Sequence, residues 1–160
     1  MEITLTPVEH ALARQIARLR YEFNRKHNNK NHLRKPQEYE KSELDGFGAE
    51  LAVAKALNVY PDLETETAQG EDLLFHGYSI DVKQTHRERG RLMLAMEKTK
   101  LCDYYCLVIG EMPNYRIAGF ASLDSIRQTL NIVNLGYGDT YAMDQDRLIT
   151  LESFCHKTRG

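Results

Sequence analysis

The densest chemistry in the chain lies in GEDLLFHGYSIDVKQT, residues 70–85. His76-Gly77 suits a two-residue hairpin turn, with Gly77 supplying a positive φ. In that register Phe75 faces Tyr78, Leu73 faces Ile80 and Asp72 faces Asp81. Strand side chains alternate, so Leu73, Ile80 and Val82 go to one face and Asp72, Asp81 and Lys83 to the other. Two carboxylates about 5 Å apart across a ladder raise each other's pKa unless a cation sits between them. Oxygen ligands of this kind suit Mg²⁺, which takes one or two carboxylates and keeps waters. The plainer reading of the same residues is a solvated salt bridge on an exposed sheet face.

Glu50 shifts the balance between those readings. It lies in GFGAELAVAKAL. At about 100° per residue, Phe47, Val53, Ala54 and Leu57 surround it on the helix. A carboxylate in the middle of an apolar face is expected to be paired or metal-bound. Gly46, Ala49 and Ala54 are small enough to let this helix approach a sheet closely. Gly46 and Gly48 each cost about 1 kcal/mol of helix propensity against Ala, which close packing would offset.

A glutamate on a helix, then an Asp, then (D/E)-x-K on a hairpin with more strands after it resembles the PD-(D/E)XK nuclease superfamily. The matching residues are Glu50, Asp72, and Asp81 with Lys83 in IDVKQT; Glu71 stands where the family carries its proline. DYYCLVIG (103–110) and YRIAGFAS (115–122) resemble the next two core strands, and the likeness covers about residues 42–130. The GFGAE helix is similar to the glutamate-bearing helix of archaeal-type Holliday-junction resolvases. The resemblance implies a restriction-endonuclease-like core, a mixed central sheet flanked by helices, with an added N-terminal helix. It also implies hydrolysis of nucleic-acid phosphodiesters with Mg²⁺ or Mn²⁺, on DNA more than RNA, with no small-molecule cofactor. Asp72, Asp81 and the Val82 carbonyl would hold the metal. Lys83 would orient the attacking water, and Glu50 would complete the site. Small members of this kind are often phage proteins acting in the host cytoplasm, and many are homodimers.

Two basic segments suit a polyanionic substrate. Residues 14–41 carry +6 and residues 83–100 carry +4, although the whole chain is −2. Gln84, Thr85, Arg87, Arg89 and Arg91 directly follow the catalytic strand and are placed to hold phosphates. The segment 20–35, with Arg20, Arg25, Lys26, Lys30, Arg34 and Lys35, is a second candidate track. Neither looks like a base-reading helix, so binding to linear, single-stranded or branched DNA is expected to be weakly sequence-specific and salt-dependent. Two other readings stay open: a nucleic-acid-binding module without turnover, and a structural or interaction domain whose D-x-K is only an ion pair. His86 is the one histidine beside the site and receives no role.

Several elements must position these groups. Thr6-Pro7-Val8-Glu9 is a capping box with proline at the first helical position. Val8, Leu12, Ile16, Leu19 and Phe23 then mark one expected buried stripe, ending near residues 27–32. A second helix is expected from Ser42, capped with Asp45, to about Asn58. Short strands follow in EDLLF, YSIDVKQ, RLMLAM, DYYCLVIG and YRIAGFAS, then a short helix from Leu123, capped by Ser122. Helices first and strands after define an α/β (α+β) class. At 160 residues and 18.5 kDa, 42% hydrophobic and 28% charged, the chain suits one folded domain. No run approaches the roughly 20 apolar residues of a membrane span, and the N-terminus lacks a signal-peptide layout. Three cysteines with no CxxC pair argue for a reducing, cytoplasmic setting and against zinc.

Overall fold

The computed structural model describes residues 1–27, 36–65 and 70–160. Lys30, Arg34 and Lys35 of the expected basic track lie outside the described residues. The fold is mixed α+β. A five-stranded sheet runs in the order β1 (Glu2–Thr4), β6 (Asn114–Ser122), β5 (Tyr104–Glu111), β3 (Tyr78–Thr85) and β2 (Leu73–Phe75). Its β3–β5 pair is parallel and its other pairs are antiparallel. A second sheet of three strands runs β4 (Leu92–Ala95), β8 (Asp139–Met143) and β7 (Ile132–Asn134). Four helices accompany them: α1 (Pro7–His27), α2 (Pro36–Leu57), α3 (Leu123–Ile126) and α4 (Leu151–Thr158).

The large sheet has a packed layer on each face. Tyr104, Cys106 and Val108 of β5 join Phe47, Val53, Ile80 and Phe154 on the helix side. The alternate residues Tyr105, Leu107 and Ile109 join Leu92, Leu94, Tyr141 and Met143 on the side of the small sheet. That period-two division explains why β5 reads as a continuous apolar run. Phe154 of α4 stacks on Phe120 at 4.1 Å and meets Tyr104 edge-on, tying the C-terminal helix to the sheet.

The capping box of α1 forms as its residues dictate: Glu9 N–H donates to Thr6 Oγ1 at 3.2 Å, and Thr6 N–H to Glu9 Oε2 at 2.7 Å. The expected stripe forms only in part, at Ile16 and, half-buried, at Phe23. Ala13, Ile16 and Ala17 are buried, whereas Val8 is 79% exposed and Leu12 and Leu19 are also exposed. The helix lies against α2, where small residues let two helices approach. Arg20, three and four residues beyond Ala17 and Ile16, shares their face and reaches inward. Pro36 likewise begins α2 rather than breaking the chain before Ser42, because the first helical position needs no N–H. Asp45 is therefore an interior residue of α2, not part of a cap.

Gly48 explains the close approach of α2 to the sheet. A methyl group there would overlap the Tyr115 hydroxyl, which itself donates to the Asp45 carbonyl at 3.1 Å. Gly46 has open space where its side chain would be, so only one of the two helix glycines serves packing.

Candidate active site

The β2–β3 hairpin positions the first two carboxylates. His76 and Gly77 both take positive φ (50° and 86°), and the register pairs Phe75 with Tyr78 and Leu73 with Ile80. Asp72 lies one residue before β2, its N–H donating to Ile80 O at 3.0 Å. Its carboxylate is not held on the Asp81 face. Instead Oδ2 turns to the β3 backbone and accepts the Val82 N–H at 2.6 Å. A residue's N–H and C=O leave a strand on the same side, so the Val82 carbonyl also points to this edge. There β3 continues from Ile80 to Thr85, beyond the end of its pairing with β2.

Asp81 projects the other way. Through the parallel register it matches Tyr105, on the small-sheet side. It is 6% exposed, and two lysines cover it. Lys98 Nζ donates to Oδ1 at 2.6 Å and also lies over the Tyr105 ring, 5.5 Å from its centroid. Lys83 Nζ is 2.5 Å from Oδ2. Each Asp81 carboxylate oxygen therefore faces an ammonium group.

Glu50 approaches from the helix side, and its partner is Arg20. The Arg20 Nη1 donates to both Glu50 oxygens at 3.2 and 3.1 Å. Its Nη2 and Nε donate to the carbonyls of Asp62 and Glu64, and its guanidinium covers the Phe47 ring at 4.7 Å. Glu50, Asp72, Asp81 and Lys83 thus wrap around the open edge of β3 rather than meeting on one face. Asp72 is the link, since its charge acts on Glu50 and it feels both Asp81 and Lys83.

Burial sets the electrostatics of this edge. It raises Glu50 from 4.5 to about 8, and the Asp72 charge adds to the rise against the pull of Arg20. Burial likewise raises Asp72 from 3.8 to about 6; the Val82 N–H pulls against that rise and the Asp81 charge reinforces it. Burial pulls Lys98 down, but its bond to Asp81 and the charge there more than offset this, so the ammonium is held above its ordinary value. A cleft of about 790 Å³ opens beside Asp72, between residues 59–64 and 71–74, with Tyr60, 81% exposed, in its wall.

The other expected contacts divide. Gln84 is engaged in the fold, donating to Gly110 O at 2.6 Å, and Thr85 Oγ1 accepts the Arg87 N–H at 3.2 Å in the turn after β3. Arg87 and Arg89 are exposed, as are Arg25 and Lys26 in the last turn of α1. Arg89 and Arg91 line a shallow cleft with Glu88, Asp144 and Asp146, which lowers its positive potential. Arg20, expected on a phosphate track, is instead committed to Glu50. Lys98 and Tyr60 received no role from the sequence. Neither has a local signal, because a loop lysine and a loop tyrosine gain meaning only from what folds against them.

A second cluster also went unseen. Asp45, His86 and Glu111 bring one ligand atom each within 4.8 Å of one another, the one such group among the described residues. Lys41 occupies its charge balance, with Nζ 2.8 Å from Asp45 Oδ2 and 2.5 Å from Glu111 Oε2. The Met112 N–H fills Asp45 Oδ1 at 3.1 Å.

No family model matches the chain, and no curated protein or solved structure matches it. Among the described residues, no helix is long and apolar enough to cross a membrane.

Proposed function

We propose that the edge of β3 is the active site of a metal-dependent nuclease with a restriction-endonuclease-like core, hydrolysing DNA in preference to RNA. The observation that carries this reading is the gathering of Asp72, Asp81 and Lys83 on the β2–β3 hairpin, with Glu50 of α2 close enough to feel the Asp72 charge. Several buried carboxylates gathered at one edge suit a cation among them. The donor types suit a hard divalent ion, Asp81 and Asp72 carboxylates with the Val82 carbonyl; Glu50, Asp72 and Asp81 do not bring ligand atoms within 4.8 Å of one another, so Glu50 would act through a metal-bound water. Mg²⁺ or Mn²⁺ held there would lower the pKa of a water and offset charge on the phosphate.

The chain's own residues supply the rest. Lys83 lies beside the ligand carboxylate, where an ammonium steadies negative charge gathering on a phosphate oxygen. Arg20 fixes the Glu50 carboxylate through both oxygens and holds the 62–64 segment beside Asp72. Arg87, Arg89, Arg25 and Lys26 are exposed cations for flanking phosphates.

A second reading rests on the same ion pairs. Both Asp81 oxygens already face lysines and Glu50 already faces arginine, which suits a binding module or interaction domain with a self-neutralised edge. Incubation with supercoiled, linear, single-stranded and branched DNA in Mg²⁺, Mn²⁺ or EDTA decides between them. Metal-dependent cleavage lost in Asp81→Asn and in Lys83→Ala supports the nuclease. Binding without cleavage in every metal overturns it in favour of the module.

A further inference from the structure

We infer that Lys98 is a substrate-phosphate contact held in reserve on Asp81, released when a divalent cation takes that carboxylate. The inference rests on the metal-dependent reading above and adds a residue to it. Asp81 is a single negative charge with two ammonium groups against it, Lys98 at 2.6 Å and Lys83 at 2.5 Å. A divalent ion on the same carboxylate would put four positive charges around one negative one. Repulsion at such short range is steep in a buried setting, so one ammonium must leave for another anion.

Lys98 is the one placed to leave. It stands beyond the end of β4, in the connection to β5, and not on the sheet, and it is the donor whose hydrogen bond occupies Asp81 Oδ1. Lys83 lies within β3, with its backbone fixed by the parallel register to Leu107. The Tyr105 ring beneath Lys98 gives its stem and ammonium a second resting surface that survives loss of the Asp81 bond. Tyr105 is itself fixed, fully buried and with its hydroxyl accepting the Cys102 N–H at 3.1 Å. The anion that arrives with the metal is the substrate phosphate, and an ammonium leaving Asp81 Oδ1 is already beside it.

This makes two predictions of opposite sign, which a merely structural role would not. Removing the ammonium removes a competitor for Asp81, so Lys98→Met should bind Mn²⁺ about 5- to 10-fold more tightly by calorimetry. The same variant should bind a short duplex DNA about 5- to 10-fold more weakly in Ca²⁺, where cleavage is suppressed, through loss of one charge-assisted contact. In EDTA its DNA affinity should stay within about 2-fold of wild type, because Asp81 then engages Lys98 in the wild-type protein. Lys98→Gln, which keeps the stem and a donor, serves as the second variant, and melting curves in EDTA check that both are folded. Unchanged or weaker Mn²⁺ binding in folded variants overturns the inference while leaving the metal site standing. Wild-type protein that takes up no Mn²⁺ overturns both.

Discussion

Helix α2 carries two acidic residues into charged groups at the sheet, and the two behave differently. Toward the start of α2, Asp45 faces the end of β5 and the residue after β3, His86. Five residues further along the helix, Glu50 belongs to the edge where Asp72 and Asp81 gather. Around Asp45 the accounts close: Met112 N–H and Lys41 fill its oxygens, and Glu111, paired with the same lysine, is held below its ordinary pKa. Around Asp72 the setting is buried. Three carboxylates sit in or near the interior, two of them raised by burial and the third faced by two lysines. The same residue types make a surface clamp in one place and a buried group of paired charges in the other. The deciding difference is burial: Lys41 and Glu111 are exposed and pair at the surface, whereas at the β3 edge burial raises Glu50 and Asp72 even with Arg20, Lys83 and Lys98 close by.

The largest test of that contrast is substitution of one member of each group. Asp81→Asn should lower metal-dependent DNA cleavage by about 10³-fold or more, far beyond its effect on folding, because the two partly exposed lysines it leaves can turn to solvent. Asp45→Ala should do the reverse, losing about 2–3 kcal/mol of stability in denaturant titration through the orphaned Met112 N–H and the lost Lys41 pair, with turnover per folded molecule kept. Equal loss of activity in both would erase the distinction.

Next in size is packing at the helix between the two groups. Gly48→Ala forces its methyl onto the Tyr115 hydroxyl, which holds α2 at Asp45. We expect a cost of about 1–3 kcal/mol in chemical unfolding, with Gly46→Ala neutral or stabilising. An innocuous Gly48→Ala would mean that α2 sits further from the sheet.

The pH dependence separates the groups by sign. Glu50 is raised to about 8 and Asp72 to about 6 in the fold, so both favour the protonated folded state. Their contribution is complete below their ordinary values and is lost as pH rises through about 6 and then about 8. The melting temperature in EDTA should therefore decline from pH 5 to pH 8, the decline should shrink in Glu50→Gln, and millimolar Mg²⁺ should remove much of it. A flat profile for the wild-type protein would count against buried carboxylates at this edge. The Glu111 contribution runs oppositely and fades only at acid pH.

Smallest is the substrate track. Replacing Arg25 and Lys26 together by glutamine should reduce the salt slope of DNA binding by up to about 2, with cleavage at low salt nearly kept. An unchanged slope would assign that end of α1 to solvent.

Much of the edge was legible because it rests on local rules. The capping box at Thr6 and Glu9, the His76-Gly77 turn and the pairing of Leu73 with Ile80 follow from short-range geometry. Glu50 also announced itself, as a charge on a face too apolar to leave it unpaired. The α1 stripe misled because periodicity marks an amphipathic helix without saying what it packs against. Here α2, not the sheet, is the neighbour, and it receives Ala13, Ile16, Ala17 and Arg20 while Val8, Leu12 and Leu19 face outward.

By itself, then, the sequence determined the cap of α1, the hairpin register and the identity of the acidic residues, all set by contacts between residues close in the chain. Only the tertiary structure decided their partners. Arg20 reaches Glu50 across 30 positions, Lys98 reaches Asp81 across 17, and Lys41 reaches Glu111 across 70. Long flexible cations leave no periodic trace in a sequence, because their pairing depends on which surfaces the packed helices and sheets bring within reach.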